Sequence, residues 1–240
     1  MLHAGRPGIV ANTVATNRYL AEFIGTFALV FAGCGAIVVD QNFGGLLGHV
    51  GVSMVFGLVV MAMIYSLGNV SGAHINPAVT IGFLFAGRLD RRVAGPYVLS
   101  QCAGAIAAAL LLRFLFPDAS TLGATLPAGA LAQSFVLEMA LSFLLMLVIL
   151  NVSTGHQEKG IMAGVAVGGT VAMGALLGGP VSGASMNPAR SLGPALISGE
   201  LDALWIYLVA PVVGMLLAYP SCRWIQGGEC CGGAAGQVSG

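Results

Sequence analysis

Two short stretches carry most of the chemistry legible in this sequence. Ser71-Gly72-Ala73-His74-Ile75-Asn76-Pro77-Ala78 returns 111 residues later as Ser182-Gly183-Ala184-Ser185-Met186-Asn187-Pro188-Ala189, with six identities in eight positions. Asn is a favoured helix N-cap. Pro at the first helical position gives up an N–H that would be unpaired anyway, and Ala is the best helix former. Asn-Pro-Ala is therefore a compact helix start, and one isolated copy would be an ordinary cap. Two copies in equivalent apolar surroundings read differently. Each helix N-terminus carries about half a positive charge. If Asn76 and Asn187 cap two helices that meet, their amides can donate to a shared solute while their oxygens are held by backbone. Gly72, Ala73, His74 and Ile75, with Gly183, Ala184, Ser185 and Met186, then offer backbone carbonyls as acceptors along one wall.

Three charges stand in otherwise apolar stretches: Glu22, Glu138 and Arg190, the last directly after the second motif. A charge at membrane depth is costly and functional by default. Arg190 offers five fixed donors and stays protonated, so it can hold a solute oxygen and repel cations. The two acids need donors. Either they bind the unwound backbone before each Asn, or they relay protons as in a coupled transporter; the first reading is favoured. His74 is read as packing or bonding locally, and His49 has no assigned role. No nucleophile–base pair, phosphate loop or metal-spaced cluster is present, so no enzyme, metal or cofactor is expected.

These residues need a membrane scaffold to hold them. Only 8% of the 240 residues are charged and mean hydropathy is +0.92, whereas about a quarter of a soluble domain is charged. Nine basic residues balance nine acidic ones, which leaves no basic field for nucleic acid. A membrane helix needs about 20 mostly apolar residues. Six stretches qualify, at 19–40, 49–69, 93–113, 129–152, 159–179 and 203–223. Two further apolar segments, Asn76 to Ala86 and Asn187 to Ser198, reach only ~15 Å each, half the hydrocarbon thickness. They read as re-entrant half-helices, tolerated where they line a cavity or are buried in protein. The expected fold is thus an all-α integral membrane protein of six transmembrane helices plus two re-entrant half-helices. Each half holds three spans, an odd number, so the halves form an inverted repeat with the site at their midplane junction. The expected boundaries are a tail at 1–18, a channel domain at 19–225 with halves near 19–117 and 129–225, and a second tail at 226–240.

Arg6, Arg18, Arg88, Arg91, Arg92, Lys159 and Arg223 fall on one side of such a topology and Arg113 on the other. Excess Lys and Arg mark the cytoplasmic face, so both termini are expected there. Thirty-six glycines suit a tightly packed bundle. Cys34, Cys102 and Cys222 lie in apolar stretches and read as small buried thiols. Cys230 and Cys231 sit in the Gly-rich tail, and no disulfide framework is expected.

The double Asn-Pro-Ala with Arg190 after the second copy, the six spans and the two glutamates resemble the major intrinsic protein family, the aquaporins and aquaglyceroporins. The resemblance covers about residues 19–225. It implies a passive channel in the plasma or inner membrane for water and small neutral solutes, assembled as a homotetramer with one pore per subunit. Aquaporin-type pores are themselves the known example of cation exclusion by helix dipoles and an arginine. It also implies a selectivity constriction, placed by the family's spacing from the two Asn residues at Phe56, Ala175, Ala184 and Arg190. Water-selective members resemble each other in having His at the position of Ala175. Two alanines here imply a wider, less polar opening, suited to glycerol, urea or uncharged metalloid hydroxides beside water. Typical glycerol channels have Asp where this chain has Ser191. The run from Gly179 to Ala195 is similar instead to the plant nodulin-type proteins and their prokaryotic relatives. A proton-coupled transporter using Glu22 and Glu138, or a scaffold with a closed pore, are the alternatives.

Overall fold

The computed structural model describes residues 7–153 and 161–226, with side chains from Thr16 onwards. These residues form eight helices: α1 (Pro7–Asn42), α2 (Gly48–Ser71), α3 (Pro77–Phe85), α4 (Arg91–Leu115), α5 (Leu131–Val152), α6 (Ala163–Ser182), α7 (Pro188–Ser198) and α8 (Leu204–Gln226). No strand occurs among the described residues. All but α3 and α7 are long and apolar enough to cross a membrane. The six expected spans therefore appear, each with shifted ends. The largest shift is at the first, which hydropathy starts at 19 and the backbone starts at Pro7. A helix continues past the apolar stretch as long as nothing in the sequence breaks it, and hydropathy is blind to that continuation.

The ends of several helices follow from single residues. Asp90 caps α4, its carboxylate accepting from the Arg92 N–H at 2.8 Å. Asp40 accepts from the N–H groups of Leu47 and Gly48 and closes the turn into α2. The six long helices pack as two equivalent trios. In the first, α1 packs on α2 and α4; in the second, α5 packs on α6 and α8. The trios meet where α2 crosses α6 and where each half-helix seats on the last span of the other trio, α3 against α8 and α7 against α4.

Absent side chains permit the closest crossings. A Cβ on Gly57 would lie 2.6 Å from the Gly168 carbonyl oxygen, and a Cβ on Gly168 would lie 2.6 Å from that of Gly57. A Cβ on Gly104 of α4 would strike the Phe23 carbonyl oxygen, and one on Gly214 of α8 that of Met139. Phe23 and Met139 are the residues next to Glu22 and Glu138, so these contacts draw each acid's helix against its neighbour. Cys34 and Cys102 are free thiols. Cys222 is disulfide-bonded, a correction to the expectation that it is a simple buried thiol. Cys230 and Cys231 lie outside the described residues.

Candidate functional site

Each half-helix starts as its sequence requires. Asn76 takes an extended conformation (φ −159°, ψ 119°), its side-chain oxygen accepts from the Ala78 N–H at 2.9 Å, and Pro77 opens α3. Asn187 repeats this (φ −151°, ψ 108°), accepting from Ala189 at 3.0 Å and Arg190 at 3.3 Å. The two amides also reach across the junction. Asn76 Nδ2 donates to the Met186 carbonyl at 2.8 Å, and Asn187 Nδ2 donates to the Ile75 carbonyl at 2.8 Å. The two N-termini therefore face each other and are cross-tied. An amide nitrogen has two hydrogens, and each cross-tie uses one.

The chain before each Asn is bent by left-handed residues. Gly72 and Gly183 end α2 and α6 with φ of 87° and 82°. Ala73, Ile75, Ala184 and Met186 also have positive φ, between 44° and 51°. For non-glycine residues each such angle costs about 1–2 kcal/mol, so each loop stores about 2–4 kcal/mol. The glutamates hold that strain. Glu22 Oε1 accepts from His74 N at 2.9 Å and Ser71 Oγ at 2.6 Å, and Oε2 accepts from Ile75 N at 2.7 Å. Glu138 Oε1 accepts from Ser185 N at 2.8 Å and Ser182 Oγ at 2.7 Å, and Oε2 accepts from Met186 N at 2.8 Å. Hydrogen bonds to a charged group are worth about 1.5–3 kcal/mol each, so the two backbone bonds in each loop offset its strain. Both acids are fully buried, and neither borders the cavity described below.

Several supporting residues escaped the sequence reading. Tyr97 Oη donates to the Ser71 carbonyl at 2.8 Å, and Tyr207 Oη donates to the Ser182 carbonyl at 2.7 Å. The signal was available, because the two tyrosines are 110 residues apart, one short of the motif offset. Gln101 Nε2 donates to Glu22 Oε2 at 2.7 Å and Thr80 Oγ1 at 3.0 Å. The residue two before each Asn bonds the residue four after it: His74 with Thr80 at 3.1 Å, and Ser185 with Ser191 at 2.6 Å. Thr125 extends the second pair, donating to Ser191 at 2.8 Å. His74 also stacks on Phe83 at 4.7 Å. His49 bonds the Leu176 carbonyl at 2.8 Å, tying the start of α2 to the end of α6.

A cavity of about 130 Å³ passes the junction. One water needs roughly 10–15 Å³ on this measure, so a file of several waters fits. Asn76, Asn187, Gly72, Ala73, His74, Ile75, Ala184, Ser185 and Met186 border it. Val60, Ile64, Leu145, Ile149, Val167 and Val171 supply apolar wall. Gly183 is not among the bordering residues; Thr125 packs against it, and a Cβ there would lie 3.0 Å from Thr125 Cα. Pro77, Ala78, Pro188 and Ala189 are buried within the half-helices and do not border it either.

The four residues placed by family spacing, Phe56, Ala175, Ala184 and Arg190, all border this cavity. Arg190 is 2% exposed. Its Nη1 donates to the Gly123 carbonyl at 2.8 Å, and its Cζ stands 5.0 Å from the centre of the Phe56 ring.

A family model described as major intrinsic protein matches residues 10–219. The chain belongs to the major intrinsic protein family. Aquaporin NIP1-4 of Oryza sativa subsp. japonica is 53% identical over 196 residues, covering 81% of this chain and 71% of that protein. Nodulin-26 of Glycine max is 44% identical over 201 residues, covering 83% and 74%. Among solved structures, the aquaglyceroporin from Plasmodium falciparum superposes with a TM-score of 0.79 at 26% identity, covering 88% of this chain and 97% of that one. As a major intrinsic protein the chain is a multi-pass membrane channel and not an enzyme. Nor are its buried acids placed to carry protons along the passage, since neither borders the cavity and their oxygens are occupied by loop donors.

Proposed function

We propose that this channel passes water together with small neutral solutes of the glycerol, urea and uncharged metalloid hydroxide class, and excludes protons and other ions. The observation that carries the solute class is the pair of alanines, Ala175 and Ala184, bordering the cavity beside Phe56 and Arg190. Where a histidine would narrow the opening and offer a polar edge, a methyl group stands. The likeness to an aquaglyceroporin structure supports the same reading. Exclusion of cations follows from two helix N-termini and an arginine facing a narrow passage of low dielectric, where positive charge is felt strongly. Asn76 and Asn187 each keep one amide hydrogen for a passing oxygen. The carbonyls of the strained loops hand that solute along.

The functional unit in this reading is residues 19–225, with halves near 19–117 and 129–225, working as a homotetramer in the plasma or inner membrane. Arg18, Arg88, Arg91, Arg92 and Arg223 share one end of the bundle and Arg113 the other, which supports cytoplasmic termini. The test is Ala175→His in proteoliposomes. Osmotic water flux should persist while glycerol flux falls tenfold or more, the order expected for one added group in a narrow site. Equal loss of both, or unchanged glycerol flux, would overturn the assignment of the opening.

A further inference from the structure

We propose that Gly33, on the first span and outside the cavity, is a specificity-determining residue: its missing side chain lets the Phe56 ring lie back and so sets the width of the opening. This deepens the solute reading and rests on it. Gly33 is buried and does not border the cavity, whereas Phe56 does. A Cβ built on Gly33 falls on the edge of that ring, 2.6 Å from Cζ and closer still to Cε1. Carbon atoms settle at about 3.5–4.0 Å, so the ring would have to move by about 1 Å. Phe56 borders the passage, and the Arg190 guanidinium stands over the face of its ring, 5.0 Å from the centre. Gly33 lies behind the lining, so a ring driven off it moves towards the opening.

The next residue backs the arginine's anchor. Gly123, whose carbonyl seats Arg190, lies against Cys34, and a Cβ on Gly123 would be 2.9 Å from the Cys34 oxygen and 3.0 Å from its Cα. One turn of α1 thus stands behind both the aromatic wall and the arginine's anchor. The first span, which among the described residues gives the cavity lining only Leu29, sets the positions of Phe56 and of the arginine's anchor from behind.

The experiment compares wild type, Gly33→Ala, Phe56→Ala and the double variant in proteoliposomes, with water, urea and glycerol as probes. Gly33→Ala should reduce glycerol flux by about tenfold or more, urea flux by less and water flux least. In the Phe56→Ala background the same substitution should change none of them, because no ring remains to be pushed. Wild-type glycerol flux that Gly33→Ala leaves unchanged overturns the proposal, as does a loss that persists without the ring. If wild type passes water but not glycerol, the solute reading fails separately. Gly33 is then judged on the largest probe that does pass. Should Gly33→Ala fail to fold, Phe56→Trp provides the second test. With the seat already filled by a phenyl ring, the larger indole must enter the passage and cut glycerol flux; unchanged flux again overturns the proposal.

Discussion

The two glutamates look equivalent, and replacing each by Gln should show that they are not. In Glu138→Gln one carboxylate oxygen becomes an NH2 group. Put at Oε1, it would oppose the Ser185 N–H and the Ser182 hydroxyl; put at Oε2, it opposes only the Met186 N–H. The second choice is cheaper. It still leaves the Met186 N–H without an acceptor and the new amide without one. A buried donor left unsatisfied costs about 1–3 kcal/mol, so two of them cost about 3 kcal/mol or more. For a chain of this size that lowers the melting temperature by roughly 6–12 °C.

Glu22→Gln has a way out. Its Oε2 faces Gln101, whose own side-chain oxygen is buried with no partner. Half a turn of the Gln101 amide presents that oxygen to the new NH2 group and gives up the bond to Thr80; it trades an oxygen already unpaired for an unpaired NH2, so the net addition is chiefly the orphaned Ile75 N–H. The cost should be about half as large, on the order of 1–2 kcal/mol. Thermal unfolding of the purified protein in detergent measures both. The rescue should vanish in a Gln101→Leu background, where Glu22→Gln becomes as costly as Glu138→Gln. Osmotic water flux per folded molecule should be retained in both single variants. A drop for Glu22→Gln equal to or larger than that for Glu138→Gln would refute the reasoning. So would two thermally neutral variants that abolish a gradient-driven uptake, for then the acids carry protons and do not brace loops.

Arg190→Ala should raise proton or cation leak through the channel, measured with a pH-sensitive dye in proteoliposomes; unchanged leak contradicts a barrier role for this residue. Gly214→Ala drives a Cβ into the Met139 carbonyl oxygen, a backbone atom with little room to yield, and should cost about 1–3 kcal/mol, read as lost thermal stability. Gly68→Ala is the control: it meets nothing within 4 Å and should be neutral or stabilising by up to about 1 kcal/mol. Among the described residues neither free thiol borders the cavity, and Cys34 is fully buried. Mercurials should therefore inhibit water flux weakly, and strong inhibition would place a reactive thiol on the passage.

What was legible in the sequence was whatever repeats or runs locally. The six spans are apolar runs, and Asn76 and Asn187 sit in a duplicated octapeptide whose cap chemistry is local. Glu22, Glu138 and Arg190 stand out because charge is rare in such surroundings. What was not legible depends on which helices touch. Nothing near Gly33 signals that it lies behind a ring 23 residues later. Nothing near Gln101 signals that it shares Glu22 with a loop. Tyr97 and Tyr207 are an intermediate case: their offset echoes the motif, yet a tyrosine on a membrane span reads first as an interface residue. Gly183 was expected beside the passage because its repeat partner Gly72 is there. The residue packed against it, Thr125, comes from a connection between the halves for which the repeat has no counterpart.

That departure from symmetry bears on the charge of the opening. In the first half the bracket around the loop is His74 with Thr80 and Gln101; in the second it is three hydroxyls, Ser185, Ser191 and Thr125. An acid in place of Ser191 would bring a negative charge onto the first turn of α7, one residue from Arg190. With a hydroxyl there, Arg190 forms no ion pair among the described residues; its head holds one backbone carbonyl and the face of Phe56, and its Nε has no partner among them. The guanidinium charge at the opening is thus met at contact distance by a carbonyl dipole and a ring face, with Glu138 acting on it without a hydrogen bond. A Ser191→Asp variant should therefore weaken the cation barrier in the same direction as Arg190→Ala but less, with Phe56 and the two alanines unmoved. A leak equal to that of wild type would mean that the helix N-termini set the barrier, and that Arg190 serves to hold solute.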